Sequence, residues 1–277
     1  MLNLSLAQSN CPFRGGKFDT GVEANLFGDK VNVREKPAKD ALVIANLTIG
    51  TPVSIIENTE TEYAMNGFGS DWYKVSFDYN NDQKTGYIWG GLISMASAEI
   101  PFGNGPPDML VYSITSWDVN KSFNSTLRIV RNGKMINSLD FKPISTGFFE
   151  PGVFGHSVCV SVMGNRGFTG VKNIISVSYT YAACGYENGE ILLFWNGSQL
   201  IYAAKASMVS EAGVFHYDYE ISYPDDKEGK KDLLMITQTL TQYNEVKGDY
   251  VESQKEVTLH SFRWDGSSIT ELPEETK

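Results

Sequence analysis

The stretch VNVREKP, residues 31–37, has the pattern of a short β-strand that runs into a loop. Val31 and Val33 point to one face of the strand, and the polar residues that alternate with them point to the other. Pro37 has no backbone N–H, so it ends the pairing of this strand with its neighbours. The stretch therefore predicts the first strand and loop of a small β-domain.

Further runs of apolar residues follow this strand, and each is bounded by glycine, proline or an acidic turn. They are ALVIANL, TPVSIIEN, DWYKVSF and TGYIWGGLI. The last two are predicted to form a hairpin around the polar turn DYNNDQKTG. Five short strands predict a small barrel or sandwich, and the 14 Tyr, 15 Phe and 26 Gly of the whole chain predict an all-β protein.

These blocks, from Gly28 to Ser94, resemble the bacterial SH3-type domain in content and order. The resemblance implies a barrel that binds rather than catalyses, with peptidoglycan or an envelope protein as partner. Two features depart from the family: Glu35 and Lys36 replace its usual Ser-Gly, and NTETEYAMNGFGS lengthens the loop before Trp72. We expect the longer loop to reshape the ligand-binding groove.

Six aromatic residues are candidates for lining that groove, because amphipathic rings give a large contact area at low entropic cost. They are Tyr63, Phe68, Trp72, Tyr73, Tyr87 and Trp89. Tyr63 and Phe68 fall on the inserted loop and are predicted to be surface contacts. Trp72 is predicted to build the barrel core instead.

The rest of the chain repeats itself after the proline- and glycine-rich segment SAEIPFGNGPPD, which is a predicted linker. EPGVFGHSVCVSV recurs as EAGVFHYDYEISY, KNIISVSYTY as KDLLMITQTL, and ILLFWNGSQLI as LHSFRWDGSSI. A partial copy, DMLVYSITSW with LRIVRNGKMINSL, comes first. Each full copy predicts about four strands, and its Asn-Gly or Asp-Gly pair predicts a type I′ turn.

Four-stranded units at a fixed period predict propeller-like blades, and the repeats loosely resemble FG-GAP or VCBS-like blades without their Asp-rich calcium loop. Two full copies are fewer than the roughly four to eight blades of closed propellers, so a β-sandwich or completion by another chain stays open. The predicted organisation is an N-terminal tail at 1–20, an SH3-like domain at 21–96, a linker at 97–107 and a β-repeat domain at 108–277.

The charge balance limits the classes of binding partner. The chain has 33 Asp and Glu against 23 Lys and Arg, which gives a net charge of −10. An acidic chain lacks the positive footprint that nucleic acids or anionic membranes need. No apolar run is long enough to span a bilayer. The start, MLNLSLAQSN, resembles the tail of a secretory signal, with a native N-terminal tail as the alternative. We expect export to the periplasm or the cell exterior.

The three cysteines, Cys11, Cys159 and Cys184, have no metal-ligand spacing. An odd number allows at most one disulfide and leaves at least one thiol. Free, buried cysteines are the prediction.

One cluster has the residue types of a catalytic or metal site. His216, Asp218 and Glu220 alternate along a predicted strand and so share a face. The residues between them form an apolar face, which favours the interpretation of the trio as the solvated side of a sheet. No catalytic residue, metal or cofactor is predicted.

Two acidic segments also suggest calcium. Asp78, Asn80 and Asp82 have the spacing of a calcium loop, but Gln83 and Trp89 stand where that loop needs Gly and Glu, so a hairpin turn is predicted. The loop YPDDKEGKKD holds Asp225, Asp226, Glu228 and Asp232 among three lysines, Lys227, Lys230 and Lys231. A self-neutralised surface loop is the preferred interpretation.

These observations favour a non-catalytic, exported binding protein. The SH3-like module would bind a cell-wall or protein ligand, and the repeats would present a second interaction surface. The alternatives are a metal-dependent hydrolase that uses the His216 cluster, an accessory part of a cell-wall hydrolase system, and a purely structural envelope component.

Overall fold

The computed structural model describes residues 9–101, 105–117, 123–144, 156–246 and 248–276. The chain divides into two compact units, Met1–Val162 and Met163–Lys277. The described residues form strands, turns and one short 3₁₀ helix, which confirms the predicted all-β class. None of the helical structure in these ranges is long and apolar enough to cross a membrane. Residues 1–8, which carry most of the predicted signal remnant, lie outside the described residues.

The strands of the first unit are short at its start and longer towards its end. They are β1 (Ser9–Asn10), β2 (Phe13–Arg14), β3 (Lys17–Phe18), β4 (Glu23–Asn25), β5 (Lys30–Arg34), β6 (Val43–Thr48), β7 (Pro52–Met65), β8 (Phe68–Tyr79), β9 (Asp82–Trp89), β10 (Ala96–Ile100), β11 (Asp108–Trp117), β12 (Phe123–Arg131), β13 (Lys134–Phe141) and β14 (His156–Met163). The 3₁₀ helix, Gly90–Leu92, follows β9.

The five predicted strands of the SH3-like region are β5 to β9, and β4 adds a sixth to their sheet in the order β4-β7-β8-β9-β5-β6. Alternation decides which side chains enter the core: Val31 and Val33 of β5 are fully buried, as are Val75 of β8 and Ile88 of β9. The β8–β9 hairpin closes through a two-residue turn in which both asparagines have positive φ, 55° and 67°. The segment 78–82 is therefore a hairpin turn, as predicted.

The segment before Trp72 was predicted as a lengthened loop, whereas most of it forms strands in the structure. The segment extends β7 and β8 into a long hairpin that ends where Met65 pairs with Phe68. Asn66 and Gly67 form its two-residue turn with φ of 53° and 77°. The alternating threonines and the tyrosine of this segment favour strand structure, because such residues fit a half-exposed pleated surface.

The partial repeat belongs to the same unit as the SH3-like region. Strands β1, β10, β11, β12 and β13 form a five-stranded sheet in that order. Phe27 and Ile49 pack with Val111 of β11 and Val130 of β12 in one buried cluster. A two-residue turn joins β12 and β13, and its residues, Asn132 and Gly133, have φ of 50° and 70°, as type I′ turns require.

The predicted linker at 97–107 begins inside a strand. Ala96–Ile100 form β10, whose residues pair with β11 and β1, and Ser97, Ala98 and Ile100 are buried. Small and apolar residues pack well between two neighbouring strands, so this part of the segment does not act as a linker. The chain divides into its two compact units after Val162.

A disulfide joins Cys11 to Cys159, whereas Cys184 is free and exposed. The prediction of free, buried cysteines is therefore wrong. Strand β14 pairs with β2 through Ser157 and Arg14. The Cα atoms of Cys11 and Cys159 lie 5.1 Å apart beside this pairing. That distance lies within the usual range for a disulfide, yet the two cysteines lie 148 positions apart in the sequence.

The second unit continues as an antiparallel meander. Its strands are β15 (Asn173–Tyr181), β16 (Asn188–Trp195), β17 (Leu200–Glu211), β18 (Phe215–Ser222), β19 (Leu233–Val246), β20 (Asp249–Trp264), β21 (Ile269–Glu271) and β22 (Glu275–Thr276). Strands β15 to β21 pair in chain order, and β22 returns to pair with β20.

Each full copy of the predicted repeat has four strands, β14 to β17 and β18 to β21. Strand β17 pairs with β16 along most of its length and with β18 through Val209–Glu211. The two copies are thus joined by hydrogen bonds through a shared strand. A propeller-like arrangement of separate blades is not confirmed.

The turns that end the third block of each copy have the same geometry. The side-chain oxygen of Asn196 accepts hydrogen bonds from backbone N–H groups two and three residues ahead, at 2.9 and 2.8 Å. Asp265 does the same at 2.8 Å, and Gly197 and Gly266 have φ of 101° and 100°. Both loops have four residues, so the predicted type I′ turn is wrong here. These backbone bonds hold the pKa of Asp265 well below its usual value.

Candidate functional site

The β8–β9 hairpin has one face towards the core and one away from it. Tyr73 points inward and is 1% exposed. Trp72 lies opposite Trp89, and Tyr87 lies opposite Lys74, all on the outer face. The structure thus separates Tyr73 from the other candidate residues of this hairpin.

Four candidate residues come together on the outer face, and we call Tyr63, Phe68, Trp72 and Trp89 the aromatic cluster. The ring of Tyr63 lies 5.9 Å from that of Trp89 and 6.5 Å from that of Trp72. The ring of Phe68 lies 6.3 Å from that of Trp89. Trp89 Nε1 donates hydrogen bonds to the backbone carbonyls of Tyr63, at 2.8 Å, and Ser70, at 3.0 Å. These bonds fasten the extended hairpin over the two indoles.

Burial divides the candidates into supporting and accessible residues. Phe68 is 8% exposed and both tryptophans are 5% exposed, whereas Tyr63 and Tyr87 are only half-buried. The predicted surface position is therefore wrong for Phe68. Trp72 is buried as predicted, although it packs in the aromatic cluster rather than on the inner face of the sheet. Tyr63 and Tyr87 are the two candidates that a ligand can touch directly.

Two glycines shape this region, and sequence reasoning missed both. A Cβ atom on Gly91 would lie 2.3 Å from Cη2 of Trp89, so the indole rests directly against the glycine. A Cβ atom on Gly86 would lie 2.5 Å from Cγ1 of Val33. For Gly91 the available signal was the pair of glycines that follows Trp89, since a glycine permits a close approach that no other residue allows.

Three cationic side chains lie around the accessible tyrosines. Lys39 Nζ is 5.9 Å from the centre of the Tyr63 ring, and both Lys74 and Arg34 lie opposite Tyr87 on the neighbouring strands. Arg34 is held in place because its Nη1 donates to the carbonyl of Ala41 at 2.7 Å. This mixture of phenol rings and cations suits a ligand that carries hydrogen-bond acceptors or negative charge.

Tyr73 holds the other side of the domain together. Its hydroxyl oxygen accepts a hydrogen bond from the backbone N–H of Phe18 at 3.3 Å, and the two rings meet edge to face at 5.2 Å. Burial raises the pKa of the Tyr73 hydroxyl to about 12. The residue is a core contact, and its predicted position in a ligand groove is wrong because its ring faces inward.

We expect Tyr73→Phe to lower the free energy of unfolding by about 1–3 kcal/mol near neutral pH, because the N–H of Phe18 loses its buried acceptor. The folded-state pKa is raised, so the stabilisation by the neutral phenol is complete below about pH 10 and is lost as pH rises through about 12. Urea denaturation between pH 8 and pH 12 should show the difference from wild type shrinking at the alkaline end. A constant difference, or one equal to that of the control Tyr79→Phe at the hairpin end, would contradict this assignment.

The histidine cluster has the geometry of a strand that faces solvent. His216 Nε2 lies 3.5 Å from Asp218 Oδ2, and both side chains are about half exposed. Within the described ranges there is no group of three or more His, Cys, Asp or Glu side chains that could hold a metal ion. On the opposite face, Tyr219 and Ile221 pack against the core cluster that contains Tyr223. This geometry is in line with the interpretation of His216, Asp218 and Glu220 as the solvated side of a sheet.

Two carboxylates of the acidic loop pair with an arginine outside it. Arg166 Nε lies 2.9 Å from Asp225, its Nη2 lies 2.5 Å from Asp226, and its guanidinium stacks 4.4 Å from the centre of the Tyr223 ring. The backbone N–H of Tyr223 also donates to Asp226 at 2.7 Å. The loop is a surface structure organised by Arg166 rather than by the lysines within it.

Comparison with known protein families identifies the domain that carries the outer face. No match was found among curated proteins or among solved structures. Residues 29–94, which contain β5 to β9 and the whole aromatic cluster, match the family described as the bacterial SH3 domain.

Proposed function

We propose that this is a non-catalytic, exported binding protein whose SH3-like domain holds a cell-wall or envelope-protein ligand on the outer face of β8 and β9. One observation carries the proposal. Two accessible tyrosines share the outer face: Tyr63 packs against two buried indoles beside Lys39, and Tyr87 lies opposite Lys74 and Arg34. Phenol rings on a fixed base give a large contact area without much loss of side-chain freedom, which is the property of interface hot spots.

The indole of Trp89, which supports Tyr63, is held rigidly by neighbouring residues. Trp89 is hydrogen-bonded to two carbonyls of the extended hairpin, and its ring is seated on Gly91. Tyr63 is carried by the same hairpin, so its position is set before a ligand arrives. A preorganised surface avoids part of the ordering cost of binding, which supports a ligand-binding role for this face.

The disulfide between Cys11 and Cys159 supports the proposal of export. Disulfides form and persist in oxidising compartments such as the bacterial periplasm, and they are rare in the cytosol. Alkylation of free thiols in intact cells tests this part: one reactive cysteine per chain is expected for the exported protein. Three reactive cysteines in vivo would contradict it.

We expect Tyr63→Ala and Tyr87→Ala each to weaken ligand binding about tenfold or more, which corresponds to about 1.4 kcal/mol or more. The measurement is a quantitative pull-down with purified peptidoglycan in one arm and an envelope protein extract in the other. The two arms separate a glycan partner from a protein partner. Denaturation curves of each variant should show a cooperative transition, which establishes that the variant used in the pull-down is folded.

Tyr79→Ala is the matched control for this experiment. Tyr79 is also half-buried on the same domain and also has a lysine over its ring, with Lys84 Nζ 4.9 Å from the ring centre. It lies at the far end of the hairpin from the aromatic cluster. Equal losses of ligand binding in all three variants would show that the outer face is not the binding surface. Full binding by Tyr63→Ala and Tyr87→Ala would show the same.

A further inference from the structure

The second unit has an open, uncharged depression at the distal end of its longest hairpin. Its volume is about 490 Å³, which is enough for one or two amino-acid side chains. Its lining residues come from β18, from the turn before it and from β19. They are Val214, Phe215, Leu240, Gln242, Tyr243 and Asn244. We call this depression the distal site.

Apolar side chains surround the distal site and face solvent. Val214 is 54% exposed, Val246 is 50% exposed and Val251 is 49% exposed. Val251 pairs with Asn244 of the lining, so its side chain projects from the same face of the sheet. Contiguous exposed apolar residues of this kind mark interaction surfaces, because a chain with no partner gains nothing by keeping them in water.

Carboxylates stand beside the apolar residues. Glu211 pairs with Phe215, and Glu256 pairs with Leu240. Asp249 pairs with Val246. Residues directly opposite each other in a sheet project from the same face, so the three carboxylates share the face of the distal site.

These charges are not neutralised within the described residues. None of the three carboxylates forms an ion pair there, and Lys255, the lysine of β20, pairs with Thr241 and so projects from the opposite face. Burial raises the pKa of the Tyr217 hydroxyl on this face, and nearby carboxylates, Glu256 among them, raise it further. As far as residues 156–246 and 248–276 are concerned, the surroundings of the distal site are therefore both apolar and negative.

We propose that the distal site binds a basic peptide segment of a partner protein, with one apolar side chain in the depression and Lys or Arg side chains against Glu211, Asp249 and Glu256. The apolar anchor supplies affinity because its burial removes water from both surfaces. The carboxylates select positive charge and speed association, an effect that falls with rising salt. This site is independent of the tyrosines on the SH3-like domain and makes the second unit a separate recognition surface.

The test is fluorescence anisotropy with three labelled peptides of equal length and the full chain. One alternates Lys and Leu, one alternates Lys and Ser, and one alternates Glu and Leu. We expect measurable binding of the Lys-Leu peptide alone, with affinity that falls as salt is raised. Equal binding of the Lys-Ser peptide would overturn the proposal, because it would show charge attraction without an apolar anchor. Absence of binding by the Lys-Leu peptide would overturn it as well.

A matched pair of triple variants assigns the binding to this face. Glu211→Gln, Asp249→Asn and Glu256→Gln together should weaken Lys-Leu binding at least tenfold. Three exposed carboxylates elsewhere in the unit give the control, which changes net charge equally and should stay within about twofold of wild type. The control variant carries Glu220→Gln, Glu228→Gln and Glu275→Gln. Equal losses in both triples would overturn the proposal.

A second copy of this chain is the competing occupant of the apolar face. Analytical sedimentation without peptide distinguishes a peptide partner from a second copy of the chain. The proposal expects no self-association that depends on this face. A dimer that dissociates on Val214→Ser, an exposed position that should tolerate the change, would overturn the proposal in favour of self-assembly. In the monomer, the same substitution should weaken Lys-Leu binding severalfold.

Discussion

Loss of the disulfide between Cys11 and Cys159 is expected to lower the free energy of unfolding by about 2–5 kcal/mol. The bond closes a loop with a sequence separation of 148, which removes much of the freedom of the unfolded chain. Loop-closure entropy alone gives about 5 kcal/mol for a loop of this length. The loss should be visible because strand β14 is otherwise tied to β2 by a single pair, Ser157 with Arg14.

Urea denaturation of the double variant Cys11→Ser, Cys159→Ser against wild type measures this effect. Cys184→Ser is the control, because that thiol is free and exposed, and it should change the free energy of unfolding by no more than about 0.5 kcal/mol. Addition of a reductant to wild type should reproduce the curve of the double variant. Coincident curves for the double variant and wild type would show that the bond contributes nothing to stability.

Trp89→Ala should produce the other large loss of stability, about 3–5 kcal/mol. The indole fills the space between the extended hairpin and Gly91, and its N–H donates to two carbonyls. Removing it leaves a cavity and leaves the carbonyls of Tyr63 and Ser70 without this donor. The extended hairpin should consequently lose its attachment to the sheet.

Trp89→Phe separates packing from hydrogen bonding, because it keeps most of the ring volume and removes the donor; a cost of about 1–3 kcal/mol is expected. Tyr87→Ala is the position-matched control, because Tyr87 is half-exposed and lies two residues away on the same face. It should lower the free energy of unfolding by less than Trp89→Ala or Trp89→Phe. Chemical denaturation gives the energies, and near-ultraviolet circular dichroism reports on the aromatic cluster. A loss below about 1 kcal/mol for Trp89→Ala would mean that the cluster does not hold the hairpin.

The strands of the SH3-like region were predictable because local signals agreed there. Alternation in VNVRE and DWYKV predicts which side chains enter the core, and the Asn-Asn turn between β8 and β9 occupies positions where asparagine tolerates positive φ. The same agreement gave four strands for each full repeat. Strand existence is a local property, and it followed from local sequence.

What could not be predicted depended on long-range contacts. Nothing local to Phe68 shows that its ring will be covered by Trp89, and nothing local to Cys11 shows that β14 will place Cys159 beside it. Tyr73 and Trp72 are adjacent in sequence, yet the pleat sends one inward and the other outward. Both residues are aromatic, so composition alone could not separate the core residue from the cluster residue.

The candidate site was only half accessible to sequence reasoning. The aromatic residues were identified by type, but the cations beside them were not, because Arg34 and Lys74 meet Tyr87 only across strand pairings. The four-residue turn at Asn196 was mistaken for a type I′ turn because its Asn-Gly pair is common to both. The side chain of Asn196 accepts hydrogen bonds from the backbone N–H groups of Ser198 and Gln199. Both donors lie in the loop, which is two residues longer than a type I′ turn.

The bond between Cys11 and Cys159 also has a mechanical consequence. It makes residues 11–159 a covalently closed ring, and the whole segment 29–94 lies within that ring. Tension applied before Cys11 and after Cys159 passes through the sulfur atoms and leaves the enclosed chain unloaded. The tyrosine-bearing face would therefore keep its shape while the protein is pulled between two anchor points, and reduction of one bond would put that face under load.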